Sequence, residues 1–256
     1  MLKNNPGTGY QPSQSDNFHS FAKKYYMKFN EKLIPGKLIK RYKRFLADVE
    51  LEDGTIVTAH CTNSGSMKTC IEEGAPVYLT PVNDPKRKTK FTWEMIFINN
   101  GWIGVNTSIP NLLAFEAIRD GKIERLKGYT NVKREVTFGD SRFDIFAENE
   151  HEKCFVEVKN VTMKVNEFAS FPDAVTTRGR KHLETLIHVK EKGMRAAMLY
   201  VIQRMDVKKF GVATNIDPEY ANSLKKAHAA GVEIIPVQAE VKPEGIEIVK
   251  ELPFEW

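Results

Sequence analysis

Two carboxylates and a lysine fall within one short stretch of this chain, residues 141–160, SRFDIFAENEHEKCFVEVKN. Asp144 sits in one apolar run, and Glu157, Val158 and Lys159 sit in the next. Side chains alternate faces along an extended strand, so Glu157 and Lys159 project together while Val156 and Val158 face a core. A hairpin joining the two runs brings Asp144 beside Glu157. Such a group suits a divalent cation and an attacking water. Phosphodiester hydrolysis needs a nucleophilic water, neutralisation of a developing anion and stabilisation of the leaving oxygen. Mg2+ (or Mn2+) serves all three when one or two carboxylates hold it and leave places for water and substrate. The expected metal ligands are Asp144, Glu157 and the carbonyl of Val158, with Lys159 orienting or helping to deprotonate the water. A cross-strand ion pair between Lys159 and either acid satisfies the same spacing without any chemistry.

Two more acids lie close by in sequence. Glu116 interrupts the apolar stretch LLAFEAI, and Glu135 lies in KREV on the opposite side from Val136. Four acids arriving from consecutive elements would make a denser site than a hairpin alone. The segment FPDAVTTRGRKHLETL carries cations: Arg178, Arg180, Lys181 and His182 crowd the first turns of a predicted helix. Cations there oppose the helix dipole at about 0.3–1 kcal/mol each. A charge pattern set against local preference is expected where phosphates are gripped. Asp173 is read as the cap of that helix, with Thr176 as an alternative cap. Gln203, ending a buried strand, is read as a strand terminus that could reach toward the site.

The elements that must position these residues come in two groups. Between Leu33 and Val105, short runs rich in branched and aromatic residues (KLIKRY, RFLADVEL, TIVTAH, APVYLTP, FTWEMIFI, GWIGV) are split by turn signals such as Asp53-Gly54 and Asn99-Asn100-Gly101. Strands of this spacing predict a small β-barrel, with an OB-fold preferred over an SH3-like barrel. From Thr107 the pattern changes. Ser108 or Asn111 can cap a helix that opens at Pro110 and ends at Asp120-Gly121. Strands follow over Val132–Phe138, Ser141–Ala147 and Cys154–Lys159, then a helix from about Thr177 to Lys192 and a buried strand over Ala196–Ile202. Asp217-Pro218 starts a third helix, closed by Gly231 before a last strand, Val232–Val237. The order α-β-β-β-α-β, then α-β, predicts a mixed sheet flanked by helices. The expected division is a leader over 1–17, a nucleic-acid-binding barrel over 18–106 and an α/β domain over 107–256.

At 256 residues, 41% hydrophobic and 28% charged, the chain has ample apolar content for real cores. It has no run of about 18 apolar residues, so no membrane span is expected, and nothing near Met1 resembles a secretory signal. Three cysteines make neither an even framework nor a CxxC pair, which suits free thiols in a reducing cytoplasm. The net charge of +5 lies wholly in the first hundred residues. From Lys23 to Arg44, nine basic residues face only Glu31. A basic barrel beside a neutral partner domain predicts a grip on a polyanion, DNA first among nucleic acids. The expected phosphate contacts are Lys37, Lys40, Arg41, Lys43 and Arg44, with Lys86, Arg87 and Lys88 from the PKRKTK loop. Tyr42, Phe45, Phe91 and Trp93 are either base-stacking residues or barrel core.

LIPGKLIKRYKRFLADV, GSM, PNLLAFEAI, SRFDIF, EVKNVT and FPDAVTTRGRKHL, in that order from about residue 27 to 240, resemble the sugar fermentation stimulation protein (SfsA) family. That resemblance implies an N-terminal OB-like DNA-binding domain and a C-terminal domain of the PD-(D/E)XK nuclease superfamily. In the superfamily pattern the helix acid corresponds to Glu116, the strand acid to Asp144, and the E-x-K triplet to Glu157 and Lys159. Glu135 and Arg178, Lys181 and His182 correspond to auxiliary positions. The proline of the proline-aspartate pair is absent, since Phe143 precedes Asp144. The family name also implies a second possibility, a non-catalytic DNA-binding transcriptional regulator linked to sugar metabolism, beside a Mg-dependent nuclease.

Overall fold

The computed structural model describes residues 27–256, so the leader over 1–17 lies outside the described residues. Six strands follow Leu33: β1 (Ile34–Tyr42), β2 (Leu46–Leu51), β3 (Ile56–His60), β4 (Pro76–Pro81), β5 (Phe91–Ile98) and β6 (Gly101–Gly104). They hydrogen-bond in the order β3-β2-β1-β4-β5-β6, and a parallel pairing of β3 with β5 closes the first five into a barrel. This is the OB arrangement that the turn spacing predicted. Alternation fills the barrel: Leu38, Val49, Ala59, Leu79 and Trp93 point inward and are almost wholly buried. Trp93 is therefore core rather than a base-stacking residue, its indole N–H donating to the Met95 carbonyl at 3.0 Å. Phe45, by contrast, is 43% exposed and stacks on His60.

Two hairpin turns show how the barrel is tied. Asn99 and Asn100, between β5 and β6, both have positive φ, the type I′ pattern that asparagine tolerates and that suits strand twist. Between β1 and β2 the same conformation is forced on Lys43 and Arg44, with φ of 46° and 67°. Lysine and arginine gain nothing from that backbone region, which costs of order 1 kcal/mol or more each. Arg41 holds the turn by donating to the Arg44 carbonyl at 2.8 Å.

The second half begins with α1 (Ile109–Arg119) and a 3-10 turn at Glu124–Leu126. Then come β7 (Asn131–Phe138), β8 (Ser141–Glu148), β9 (Lys153–Val161), β10 (Met163–Val165), β11 (Phe168–Phe171) and α2 (Thr177–Glu191). The chain ends with β12 (Arg195–Ile202), β13 (Lys209–Val212), α3 (Pro218–Ala229), β14 (Glu233–Lys242), β15 (Gly245–Glu251) and β16 (Phe254–Glu255). The main sheet runs β15-β14-β12-β9-β8-β7 and is mixed, with β12 parallel to both β9 and β14. α1 covers one face over Ile145, Val156, Val158 and Leu199; α2 and α3 cover the other over Phe155, Met198 and Tyr200. The expected order of elements is present, but four strands escaped the sequence reading as a group. β10, β11, β13 and β16 form a second, small sheet. They are two to four residues long, too short to show a period of two over a convincing window. The antiparallel β15 was also missed, although IEIVKE alternates.

At the other end of the described chain, Met27 pairs with Ile246 of β15 through two backbone hydrogen bonds of 2.9 Å. The residue before the barrel thus belongs to the sheet of the α/β half, inside the 18–106 stretch expected to be barrel. Where barrel and α/β half meet, Arg204 is wholly buried. It pairs with Asp206 at 2.7 Å and donates to the carbonyls of Thr69 and Thr162 at 3.2 and 2.5 Å. One guanidinium therefore ties both halves together. Among the described residues no helix is long and apolar enough to cross a membrane.

Candidate active site

β8 and β9 pair antiparallel as the acidic hairpin requires, but the ladder stops at Ile145↔Val156. Just past that point the strands part, and Asp144 turns its carboxylate across the gap to Glu157's strand. Its Oδ2 accepts from the Val158 N–H at 2.8 Å, and its Oδ1 accepts from Asn111 Nδ2 at 2.6 Å. Burial, reinforced by the charge of Glu157, pushes the Asp144 carboxyl up to about 6. Val156 and Val158 face the core beneath α1, so Glu157 and Lys159 do share the opposite face.

Glu157 is 2% exposed, and a buried carboxylate is costly unless charge or hydrogen bonds meet it. Lys159 Nζ donates to its Oε1 at 2.5 Å. His182 Nδ1 lies against the same oxygen without the alignment of a hydrogen bond. Burial opposes the charge on Glu157, but His182 and Lys159 together outweigh it and hold the carboxyl below the usual range. Its second oxygen, Oε2, is buried and has no hydrogen-bond partner among the described residues. Leaving such an atom unmet costs about 1–3 kcal/mol, so it asks for an explanation. Asp144 and Glu157 thus face each other, one carrying a raised pKa and the other an orphaned oxygen.

The remaining expected residues divide. His182, expected as an auxiliary position beside phosphates, lies in direct contact with Glu157, because α2 turns that position inward. Arg178 and Lys181 stay exposed on the same turns, Arg178 Nε lying 3.5 Å from His182 Nε2. Arg180 is committed elsewhere, paired with Glu219 at the start of α3. The helix cap is Thr176, whose hydroxyl accepts from the Gly179 N–H at 3.0 Å; Asp173 does not cap it. Four acids do not converge. Glu135 is exposed, sits at φ 55° on edge strand β7 and pairs with Arg142 at 3.6 Å. Glu116 lies on α1 five residues beyond Asn111, about 7.5 Å further along the axis and about 140° round it. Asn111 is the α1 residue that meets Asp144, although its first-turn position read equally well as a cap. Among the described residues no three His, Cys, Asp or Glu side chains form a ready metal cage. Gln203 is wholly buried, its amide donating to Asn160 Oδ1 at 2.9 Å and to the Gly104 carbonyl at 3.3 Å. It braces the junction between the two halves.

The basic residues of the barrel also sort by position. Lys43 and Arg44 form the β1–β2 turn, and Lys86, Arg87 and Lys88 lie in the β4–β5 loop. These are the two loops with which OB barrels meet oligonucleotides. Lys43, Lys86 and Lys88 are exposed. Arg41 is instead structural, its guanidinium donating to the carbonyls of Arg44, Asn63 and Gly65. Lys40 lies 4.0 Å from Asp48, and Lys37 is exposed on β1. Arg87 donates to Thr92 at 3.2 Å.

Residues 39–105 match the SfsA N-terminal OB domain, and residues 108–245 match the sugar fermentation stimulation protein RE domain. The chain belongs to the SfsA family. It is 50% identical over 221 residues to the sugar fermentation stimulation protein homolog of Geotalea uraniireducens, covering 86% of this chain and 96% of that one. The homolog of Rhodospirillum rubrum is 48% identical over 242 residues, covering 89% and 99%. Among solved structures, Pyrococcus furiosus SfsA in complex with Ca2+ superposes with a TM-score of 0.81 at 28% identity, covering 90% of this chain and 99% of that one. The SfsA family pairing of barrel and RE domain agrees with the two halves described above.

Proposed function

We propose that this SfsA-family protein binds nucleic acid, DNA first, and hydrolyses its phosphodiester bonds at Asp144, Glu157 and Lys159 with Mg2+ or Mn2+. The observation that carries the reading is the buried Oε2 of Glu157, without a hydrogen-bond partner among the described residues, on the strand to which the Asp144 carboxylate reaches. Two facing carboxylates, one with its ionised form disfavoured, supply the hard oxygen donors that Mg2+ takes, while substrate and water fill the other places. Asp144 and Glu157 would hold the ion, with the Val158 carbonyl on the strand between Glu157 and Lys159. Solved for a relative of the same architecture, a Ca2+ complex supports a hard divalent cation in this family. When bound, such an ion polarises the phosphate and lowers the pKa of its water.

The chain's own residues do the remainder. Asn111 and the Val158 N–H fix the orientation of Asp144. His182 and Lys159 hold Oε1 of Glu157, and Oε2 stays buried without a hydrogen-bond partner among the described residues. The Lys159 side chain, 16% exposed, holds its ammonium on Glu157 Oε1, where it can stabilise charge on the phosphate. Arg178 and Lys181 stand ready for flanking phosphates. One observation favours a second reading, a DNA-binding regulator without catalysis: Lys159 and His182 already satisfy Oε1 of Glu157.

The test incubates single- and double-stranded DNA and RNA with the protein and Mg2+, Mn2+ or chelator, beside a Glu157→Ala variant. Cleavage that requires metal and disappears in the variant is expected. Binding without cleavage in every condition would establish the regulator instead.

A further inference from the structure

Beyond the carboxylates, a cleft of about 240 Å3 opens between barrel and α/β half at the carboxyl end of β9. Open α/β sheets bind ligands outside the carboxyl ends of their strands. Asn160, Val161 and Thr162 line this cleft, so it lies just past Lys159 at the end of the strand that carries Glu157 and Lys159, with the Asn160 side chain on the opposite face from theirs. Arg44 of the strained β1–β2 turn stands on the barrel side. Its Nε is spent on the Ser64 carbonyl at 3.0 Å, while its terminal nitrogens have no partner among the described residues. Phe171 and Val175 give the opposite wall apolar area, and Val175 is 68% exposed. Asp173 lines the same wall and makes no hydrogen bond or ion pair among the described residues. Its carboxylate presses so close to Gly65 that a Cβ there would lie 2.1 Å from Oδ2.

This lining suits a base better than a phosphate. An unpaired carboxylate repels phosphate but accepts from ring and amino N–H groups. Guanine is the base whose pairing edge sets two such donors side by side, and it offers an acceptor oxygen next to them. Among the described residues only the Oδ1 of Asn160 is used, by Gln203, which leaves its amide donor for that oxygen. The volume lies just below the ~300 Å3 at which ligand pockets usually begin, which fits one nucleotide and excludes a duplex. Stacking and edge contacts inside, with a basic residue outside, is the pattern by which unpaired nucleotides are held.

We infer that this cleft takes a single unpaired nucleotide beside the scissile phosphate, with Asp173 reading a guanine, so that the preferred substrate carries an unpaired end or flap. The inference rests on the nucleic-acid reading above, and the experiment separates the two. Fluorescence anisotropy at fixed salt, with divalent ions chelated, compares a blunt duplex with the same duplex carrying a three-nucleotide G or T tail. The G-tailed duplex is expected to bind about tenfold more tightly than the blunt one, within the range of one good bidentate base contact. Asp173→Asn is expected to erase the G-over-T difference. Val175→Trp, which fills the cleft from an exposed position, is expected to erase the tail advantage and leave blunt-duplex affinity unchanged. Equal binding of blunt and tailed duplexes, a T preference, or a tail advantage that survives Val175→Trp overturns the inference and leaves nucleic-acid binding standing. No binding to any of the three overturns both.

Discussion

Asp144→Asn removes one charge from the facing pair and keeps nearly the same shape, so it measures what that charge costs the metal-free fold. Burial first, and Glu157 second, raise the Asp144 carboxyl from 3.8 to about 6. A carboxyl with a raised folded pKa binds its proton more tightly in the native state. It therefore contributes stability that is fully present below the unfolded pKa and is lost as pH rises through the folded one. A shift of about two units corresponds to about 3 kcal/mol in full, with about half of that loss falling between pH 5 and pH 8. The asparagine does not titrate, so its stability should change less over that range. It can still accept from Val158 or Asn111, so the expected offset from lost hydrogen bonding is about 1 kcal/mol. Urea unfolding of metal-free wild type and variant at pH 5 and pH 8 reads the difference directly. Titrating groups away from Asp144 are common to both proteins and cancel, and the coupling to Glu157 is already part of the Asp144 shift. The variant should gain on the wild type by about 1–2 kcal/mol as pH rises. If the two proteins keep the same spacing at both pH values, Asp144 does not carry the strained charge that the site argument assigns to it.

Arg204→Leu should destabilise the protein by about 2–4 kcal/mol, because it leaves the Thr69 and Thr162 carbonyls without their buried donor while Asp206 keeps Lys164 and Asn99; thermal unfolding measures it, and a loss below 1 kcal/mol refutes the junction role. Replacing Lys43, Lys86 and Lys88 with alanine should weaken duplex DNA binding without regard to sequence. The slope of log affinity against log salt should flatten by about 0.9 for every phosphate no longer neutralised. An unchanged slope places the basic loops away from the nucleic acid.

The barrel was legible because strands and turns agreed: Asp53-Gly54 and Asn99-Asn100 punctuate runs whose inward residues alternate cleanly. The pairing of Asp144 with Glu157 and Lys159 was legible for the same reason, since alternation alone fixes which side chains share a face. Other parts depended on distant partners. Arg180 resembles a phosphate ligand until Glu219 of α3 is placed next to it. Asn111 resembles a cap until the end of the β8–β9 ladder frees Asp144 to reach it. Glu116 and Glu135 had the right residue type, but helix phase separates the first from Asn111, and the second is exposed on an edge strand and paired with Arg142. Arg204 and Gln203 are buried only because the barrel packs against the sheet, and nothing local in VIQRMD announces that.

The pairing of Met27 with Ile246 changes what kind of object the barrel is. The polypeptide leaves the large sheet, winds through the barrel and returns to that sheet by way of β6 and the Gly104–Gln203 backbone bond. The barrel is accordingly looped out from its neighbour and anchored at both feet, unlike a bead on a single string. A body held at two points cannot swivel freely, so the basic turn at Lys43 and Arg44 keeps a fixed bearing toward the carboxylates. A scalpel placed at residue 106 would not separate two independent proteins; it would strip a β-partner from the larger piece.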